Sequence, residues 1–347
     1  MLIGSHLSIA GSMVNALDQG ETLGLSCVQV FTKNQQQWKA KPLDAGMVKD
    51  WLAKVAALGW NTGGPDGRGG ITSHASYLIN MASPNDELWE KSVALMIDEV
   101  ERCEALAIPY LVFHPGSFVG WTLEEGLSRI AAGWKKVFAA TPGYKTISCF
   151  EGTAGAGSQI GGAFEHLAAL WERTAEAAGD DSRLGYCLDT CHLHAAGHDL
   201  STREAAQATL DRFDGVCGLS RVKALHVNDS KGKLGSHLDR HDHIGHGWVG
   251  GGAKAHAGEG EFSAAKLGRS GFVEVMNRGE WAKVPRLLET PKGDTKDGKA
   301  WDLVNMERLL GLVESPGKVS KGRERSKSAA GSSAVTKRAS GTKSRVR

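Results

Sequence analysis

Nine residues of this chain are of the types that hold divalent cations, and their spacing lets a fold bring them together. Five are histidines (His74, His114, His192, His226, His241) and four are acids (Glu151, Asp189, Asp239, Glu289). Six of them, His74, His114, Glu151, Asp189, His226 and Glu289, stand at or next to the ends of short apolar runs. The other three lie in loops that follow two of those runs, in Cys187-Leu-Asp-Thr-Cys-His192 and in Asp239-Arg-His241. A turn after a strand can aim Asp189 and His192 at neighbouring sites. Asp239 and His241 can share a cation only where the backbone curls, which the glycine-rich context permits. Imidazole and carboxylate ligands without thiolate suit zinc or manganese in a catalytic, partly open site. Three or four protein ligands per ion is the usual complement, so nine match two or three ions. Neighbouring divalent ions lower the pKa of bound water, neutralise phosphoryl oxygens and stabilise a leaving oxygen. Phosphate-ester hydrolysis and water activation are therefore the leading reaction classes. Any one of these residues alone is more often a hydrogen-bonded or solvated side chain; the shared placement of six of them is the signal.

The apolar runs read as eight strands, at 2–7, 27–31, 70–74, 110–114, 146–151, 184–189, 222–227 and 285–289. The intervening segments fit helices at 10–24, 45–58, 84–107, 122–140, 161–178, 201–217, 262–278 and 301–313. In 84–107, Trp89, Val93, Met96, Val100, Cys103 and Ala107 recur at the helical period. Ser83-Pro84 reads as its N-cap and first helical position, with Asp86 and Glu87 in the first turn. Thr122-x-x-Glu125 and Ser201-x-x-Glu204 spell capping boxes. Strands alternating with helices over residues 1–315 predict one α/β domain, a single (β/α)8 TIM barrel, with an open doubly wound sheet as the competing arrangement. In a barrel the C-terminal strand ends open on one mouth, so the six strand-end ligands converge there as a metal cluster.

Composition narrows the classes further. At 41% hydrophobic the body can bury a full core. No apolar run approaches the ~20 residues of a membrane helix, and Met1–Leu7 carries no charged lead, so neither a membrane partner nor a signal peptide is expected. Six cysteines (27, 103, 149, 187, 191, 217) form no Cys-x-x-Cys pair and read as reduced, buried thiols of an intracellular protein. The net charge of +2 conceals a division: residues 318–347 carry ten Lys or Arg and one Glu, a formal +9, leaving −7 for the rest. The tail at 316–347 is rich in Ser, Lys, Arg, Ala and Gly and reads as disordered, a nuclear-localisation signal or a DNA-tethering arm. Gly63–Gly70 and Gly245–Gly260 read as loops.

Seven strings, in order along nearly the whole body, resemble the endonuclease IV family of apurinic/apyrimidinic endonucleases. They are Phe31-Thr-Lys-Asn-Gln-Gln-Gln-Trp38, Ser73-His-Ala-Ser-Tyr-Leu-Ile-Asn80, Phe113-His-Pro-Gly-Ser117, Glu151-Gly-Thr-Ala-Gly-Ala-Gly157, Cys187–His192 with Ala195–Leu200, His226–Lys231 with Gly235–His241, and Leu287-Leu-Glu-Thr-Pro291. The resemblance implies a TIM barrel whose mouth holds three Zn2+ ions, with Mn2+ able to replace zinc at one or more sites. By motif, His74, His114 and Glu151 would hold the first ion. Glu151, Asp189, His226 and Glu289 would hold the second, with Glu151 bridging. His192, Asp239 and His241 would hold the third. Glu151 and Glu289 carry over as the catalytic carboxylates, acting through the ions, with no amino acid as nucleophile. The implied reaction is hydrolysis of the phosphodiester 5′ to an abasic site in double-stranded DNA, leaving a 3′-hydroxyl and a 5′-deoxyribose phosphate, and trimming of blocked 3′ ends. The duplex would be bent and the abasic nucleotide extruded, with Tyr77 and Leu78 wedged into the base stack and Gln36 also contacting DNA. The basic tail resembles those of eukaryotic, especially fungal, members, which favours the nucleus over a bacterial cytosol and leaves entry into mitochondria open; a monomer is expected.

The chain departs from the family pattern at Gln36, where bacterial members commonly have Arg, and at Gly152, where the usual Asn would support Glu151. Loops 61–70 and 248–261 are longer than expected, and His256 in the second reads as part of a solvated loop. The competing functions are a metal-dependent sugar isomerase or epimerase of the xylose-isomerase-like barrels and a non-catalytic DNA-damage-binding relative. The Asp239-x-His241 pair and the Tyr77-Leu78 wedge have no evident role in the first, and nine intact ligands argue against the second.

Overall fold

The computed structural model describes residues 1–252 and 262–314; His256 and the basic tail lie outside them. Strands β1 (Ile3–His6), β2 (Cys27–Val30), β3 (Thr72–His74), β4 (Tyr110–Phe113), β5 (Ile147–Glu151), β6 (Leu184–Asp189) and β7 (Val222–His226) are followed by a short antiparallel ladder, β8 (Asp229–Ser230) with β9 (His241–Asp242), and by β10 (Arg286–Leu288). The eight longer strands close in the order β1-β10-β7-β6-β5-β4-β3-β2, every pair parallel. This is the TIM barrel, not the open sheet.

Alternation along the strands decides what faces the axis. Tyr110, Val112, Ile147, Cys149, Cys187 and Ala224 form a cluster of their own inside the barrel. Their neighbours Leu111, Phe113, Phe150, Tyr186, Leu188, Val222 and Leu225 pack outward into the larger core shared with the helices. β1 approaches β2 so closely that a Cβ on Gly4 would lie 2.3 Å from the Cys27 carbonyl oxygen. Only glycine fits there.

Helices α1 (Val14–Thr22), α2 (Ala45–Ala57), α3 (Asp86–Ala105), α4 (Leu123–Ala140), α5 (Phe164–Ala178), α6 (Thr190–Ala196) and α7 (Arg203–Val216) accompany the first seven strands. The apolar stripe of α3 is buried at Trp89, Val93, Met96, Val100 and Cys103. Its N-cap is Asn85, whose side chain accepts from the Leu88 amide at 2.8 Å, rather than Ser83. The Ser83 hydroxyl is taken by the Asn85 amide at 3.2 Å in the turn just before the helix. Thr122 and Glu125 form the expected capping box. In α7 the cap falls on Thr202, not Ser201, because the Ser201 amide turns back to Asp199. The expected helix at 262–278 is broken into α8 (Ala264–Leu267) and α9 (Phe272–Asn277). At the break Gly271 packs against the Leu200 backbone, where a Cβ would meet the carbonyl oxygen at 2.5 Å. The last helix, α10, spans Trp301–Leu310.

Loop 61–70 joins α2 to β3 and closes the N-terminal end of the barrel. Asp66 accepts from the Tyr110 hydroxyl at 3.0 Å and from Lys223 Nζ at 3.1 Å. The extra length seals the floor, leaving the opposite end open. All six cysteines are buried and free, and among the described residues no helix is long and apolar enough to cross a membrane.

Candidate metal centre

The inward parity that places Cys149, Val112, Thr72, Cys187, Ala224 and Leu287 on the barrel axis puts Glu151, His114, His74, Asp189, His226 and Glu289 in the next layer up, at the C-terminal mouth. Register sets Asp189 beside His226, while Glu151 pairs with Cys187, one layer below Asp189 on the neighbouring strand. His192 enters on α6, whose N-cap is the Asp189 side chain, accepting from the His192 amide at 2.9 Å. His241 comes from β9, which the ladder with β8 folds back over the mouth.

The nine side chains assemble into groups whose ligand atoms lie within 4.8 Å of one another: His74, His114 and Glu151; Glu151, Asp189, His226 and Glu289; and His192, Asp239 and His241. Glu151, fully buried, is the hub. Its Oε2 is 3.1 Å from both His74 Nε2 and His114 Nε2, and its Oε1 is 2.8 Å from His226 Nδ1. His192 Nε2 and His241 Nε2 face Asp239 Oδ1 at 3.0 and 3.6 Å. Two further groups include Cys187 or Cys191, whose thiols burial pushes up to about 12.

The donor set fits metal ions on a second observation. The other ring nitrogens are engaged: His74 Nδ1 with the Ala75 carbonyl at 2.8 Å, His192 Nδ1 with that of Gly152 at 2.9 Å, and His241 Nδ1 with that of Glu289 at 3.2 Å. A carbonyl only accepts, so each Nδ1 carries a proton, and in the neutral imidazole the Nε2 lone pair points into the cluster. The Nε2 atoms of His192 and His241 are buried and make no well-aligned hydrogen bond. The Gly152 carbonyl thus orients His192 through the backbone, a contact any residue at 152 could make, and it does not replace an Asn side chain beside Glu151. Asn228 adds more, donating to Asp189 Oδ2 at 2.7 Å and accepting from the Glu289 amide at 2.7 Å.

Electrostatics point the same way. Burial opposes charge on Glu151, yet His226 and His114 hold its carboxyl well below the usual carboxylate range. Burial also opposes a charged His192, but Asp189 and Asp239 raise its pKa well above 6.5. Packed carboxylates demand positive charge, and when no cation is bound, protons on the imidazoles supply it. Because the folded pKa of His192 lies above its unfolded value, that contribution is complete below about pH 6.5 and is lost as pH rises through the folded value. A divalent cation held there would have to displace those protons, so apparent zinc affinity is expected to rise with pH across that window, as competition titrations at several pH values would show. A flat profile would mean the imidazoles do not bind metal.

A cavity of about 370 Å³ opens above the cluster, lined by Tyr77, Arg240, Pro291 and six of the nine ligand-type residues. Tyr77 is 64% exposed, its ring 5.5 Å from that of His74. Leu78 is half-buried against the core, and Gln36 is exposed on the neighbouring loop. One buried ion network ties both loops to α3. Glu99 accepts from the Thr32 hydroxyl at 3.0 Å and the Ser76 amide at 3.2 Å, with Lys33 Nζ 3.3 Å away. The Ser76 hydroxyl then bonds the Gln35 carbonyl at 2.5 Å. Glu99→Ala leaves Lys33 its ion pair with Asp98 at 2.5 Å but strips the Thr32 hydroxyl and the Ser76 amide of their buried acceptor, and should cost about 1–3 kcal/mol in urea unfolding. A loss under 1 kcal/mol would show that the network holds nothing.

Comparison with known proteins agrees with this geometry. A family model described as a xylose isomerase-like TIM barrel matches residues 17–254. A probable endonuclease 4 from Chloroflexus aurantiacus is 39% identical over 311 residues, 90% of this chain and 98% of its own. The chain belongs to the endonuclease IV family. The crystal structure of endonuclease IV from Thermus thermophilus matches with a TM-score of 0.71 and 31% identity over 90% of this chain and 98% of that one. A D-tagatose 3-epimerase-like protein matches with a TM-score of 0.59 at 15% identity, over 90% and 97% of the two chains. That likeness shows the fold alone. Within this endonuclease IV member the sequence reading missed Gln29, Asn228 and His6, all of which touch the proposed ligands or their partners. The available signal was weak: a glutamine inside an apolar strand and a histidine one residue short of a run's end.

Proposed function

We propose that the protein is a zinc-dependent DNA repair endonuclease that hydrolyses the phosphodiester 5′ to abasic sites in double-stranded DNA, leaving a 3′-hydroxyl and a 5′-deoxyribose phosphate, and that it also clears blocked 3′ ends. The observation that carries this reading is the set of three convergent ligand groups, two of them sharing Glu151, in the mouth of an endonuclease IV family barrel. His74, His114 and Glu151, then Glu151, Asp189, His226 and Glu289, then His192, Asp239 and His241 would hold three zinc ions, with Mn2+ as a substitute at one or more sites. Bound there, divalent ions supply positive charge to the phosphate and activate water.

The chain's own residues do the rest. Glu151 and Glu289 hold the ligand groups in fixed relation. Tyr77, standing proud of the rim, is suited to enter the base stack where the abasic nucleotide leaves a gap, with Leu78 braced behind it and Gln36 reaching the same duplex. The body's formal −7 does not argue against DNA, because four of its acids are among the nine ligands. The protein acts as a monomer. Its +9 tail is a tether or a nuclear address by charge alone; a tail-deleted fusion that still concentrated in nuclei would remove the second role.

The test is direct. Zinc-loaded protein should nick a duplex with one abasic site and spare the intact duplex, and EDTA should abolish the nicking. No cleavage by protein shown to hold about three zinc ions would overturn the reading.

A further inference from the structure

Gln29 is fully buried within β2 and is not one of the nine ligand-type residues. It pairs in register with His6 of β1, and its side chain crosses the barrel interior toward β7 and the residue after β10. Both ends of its amide are engaged. Nε2 lies 2.5 Å from Glu289 Oε1 and 3.0 Å from His6 Nδ1, and Oε1 lies 2.8 Å from His226 Nε2.

Hydrogen-bond chemistry leaves one assignment. An ionised carboxylate only accepts, so the NH2 must face Glu289 and the carbonyl oxygen must face His226. That oxygen only accepts as well, so His226 carries its proton on Nε2. In a neutral imidazole the lone pair is then on Nδ1. Nδ1 is the atom that lies 2.8 Å from Glu151 Oε1, 3.2 Å from Glu289 Oε2 and 3.8 Å from Asp189 Oδ2. The same amide holds Glu289 by Oε1 and leaves Oε2 turned toward His226 Nδ1. One side chain thus selects the tautomer of one proposed ligand and the orientation of another.

We infer that Gln29 is a positioning residue for the group formed by Glu151, Asp189, His226 and Glu289, and that it sets the affinity of the ion held there without touching it. His74, His192 and His241 find their acceptors on nearby backbone; His226 alone among these four depends on a side chain from a distant strand. The inference rests on the metal-dependent reading above.

The test reads metal binding, not cleavage. Gln29→Met keeps nearly the same shape and removes all three hydrogen bonds. In competition with a chromophoric chelator it should weaken one zinc by about 10–100-fold and leave the others as in the wild type, the loss usual when a residue orienting a ligand is removed. Nitrogen-15 NMR of zinc-loaded wild-type protein should show His226 protonated at Nε2, a measurement that stands even if the variant does not fold. Wild-type affinity at every site in Gln29→Met, or an unprotonated Nε2 in the wild type, would overturn the role of Gln29. A wild-type chain that binds no zinc would instead defeat the metal reading itself, and this inference with it.

Discussion

Glu151→Gln is expected to lower abasic-site cleavage by a factor on the order of 10⁴–10⁶, the scale seen when one member of a catalytic unit is removed. Glu151 has no exposed surface, and its two oxygens face different partners: Oε2 faces His74 and His114, and Oε1 faces His226. A neutral amide keeps the shape but removes the charge that holds two ligand groups against each other. Its NH2 would also face an imidazole lone pair. Two of three zinc ions should be lost or weakly held, so metal analysis and a single-turnover nicking assay should fall together. Wild-type turnover at full zinc loading would refute the bridging role.

Asp189 should rank next, for a reason visible only in the folded chain. One of its oxygens caps α6 and so fixes His192, while the other receives Asn228 and faces His226 and His241. Asp189→Ala should therefore cost about 0.5–2 kcal/mol of stability through the lost cap and reduce cleavage by at least about 10²–10³-fold. Asp189→Asn can still cap the helix through its carbonyl oxygen, although its NH2 then faces the Asn228 NH2, so it should recover the cap's share of the stability and little of the activity. If the two variants unfolded alike and cleaved alike, the two roles would not be separate.

The helix and strand pattern was legible because burial on one face imposes a period that survives in the sequence, as the Trp89 to Cys103 stripe of α3 shows. Caps were read less well. Ser83 and Ser201 spell acceptable N-caps, but their neighbours Asn85 and Thr202 win once the preceding turn has used the local donors and acceptors. The break between α8 and α9 was not readable, since it depends on Leu200, some seventy residues from Gly271, pressing against the chain.

The sequence by itself determined which side chains are available and at which end of the strands they stand, because strand alternation and strand direction are local properties. From those alone the barrel and the nine ligand-type residues could be anticipated. The motif resemblance already divided the nine into three groups; the tertiary structure decided which histidine nitrogens face the cluster, and that Gln29, Gly152 and Asn228 contact these side chains. Those are contacts between β2, β5, β6, β7 and β10, and closure of the barrel brings them within hydrogen-bond reach. No local pattern encodes a distance across a barrel.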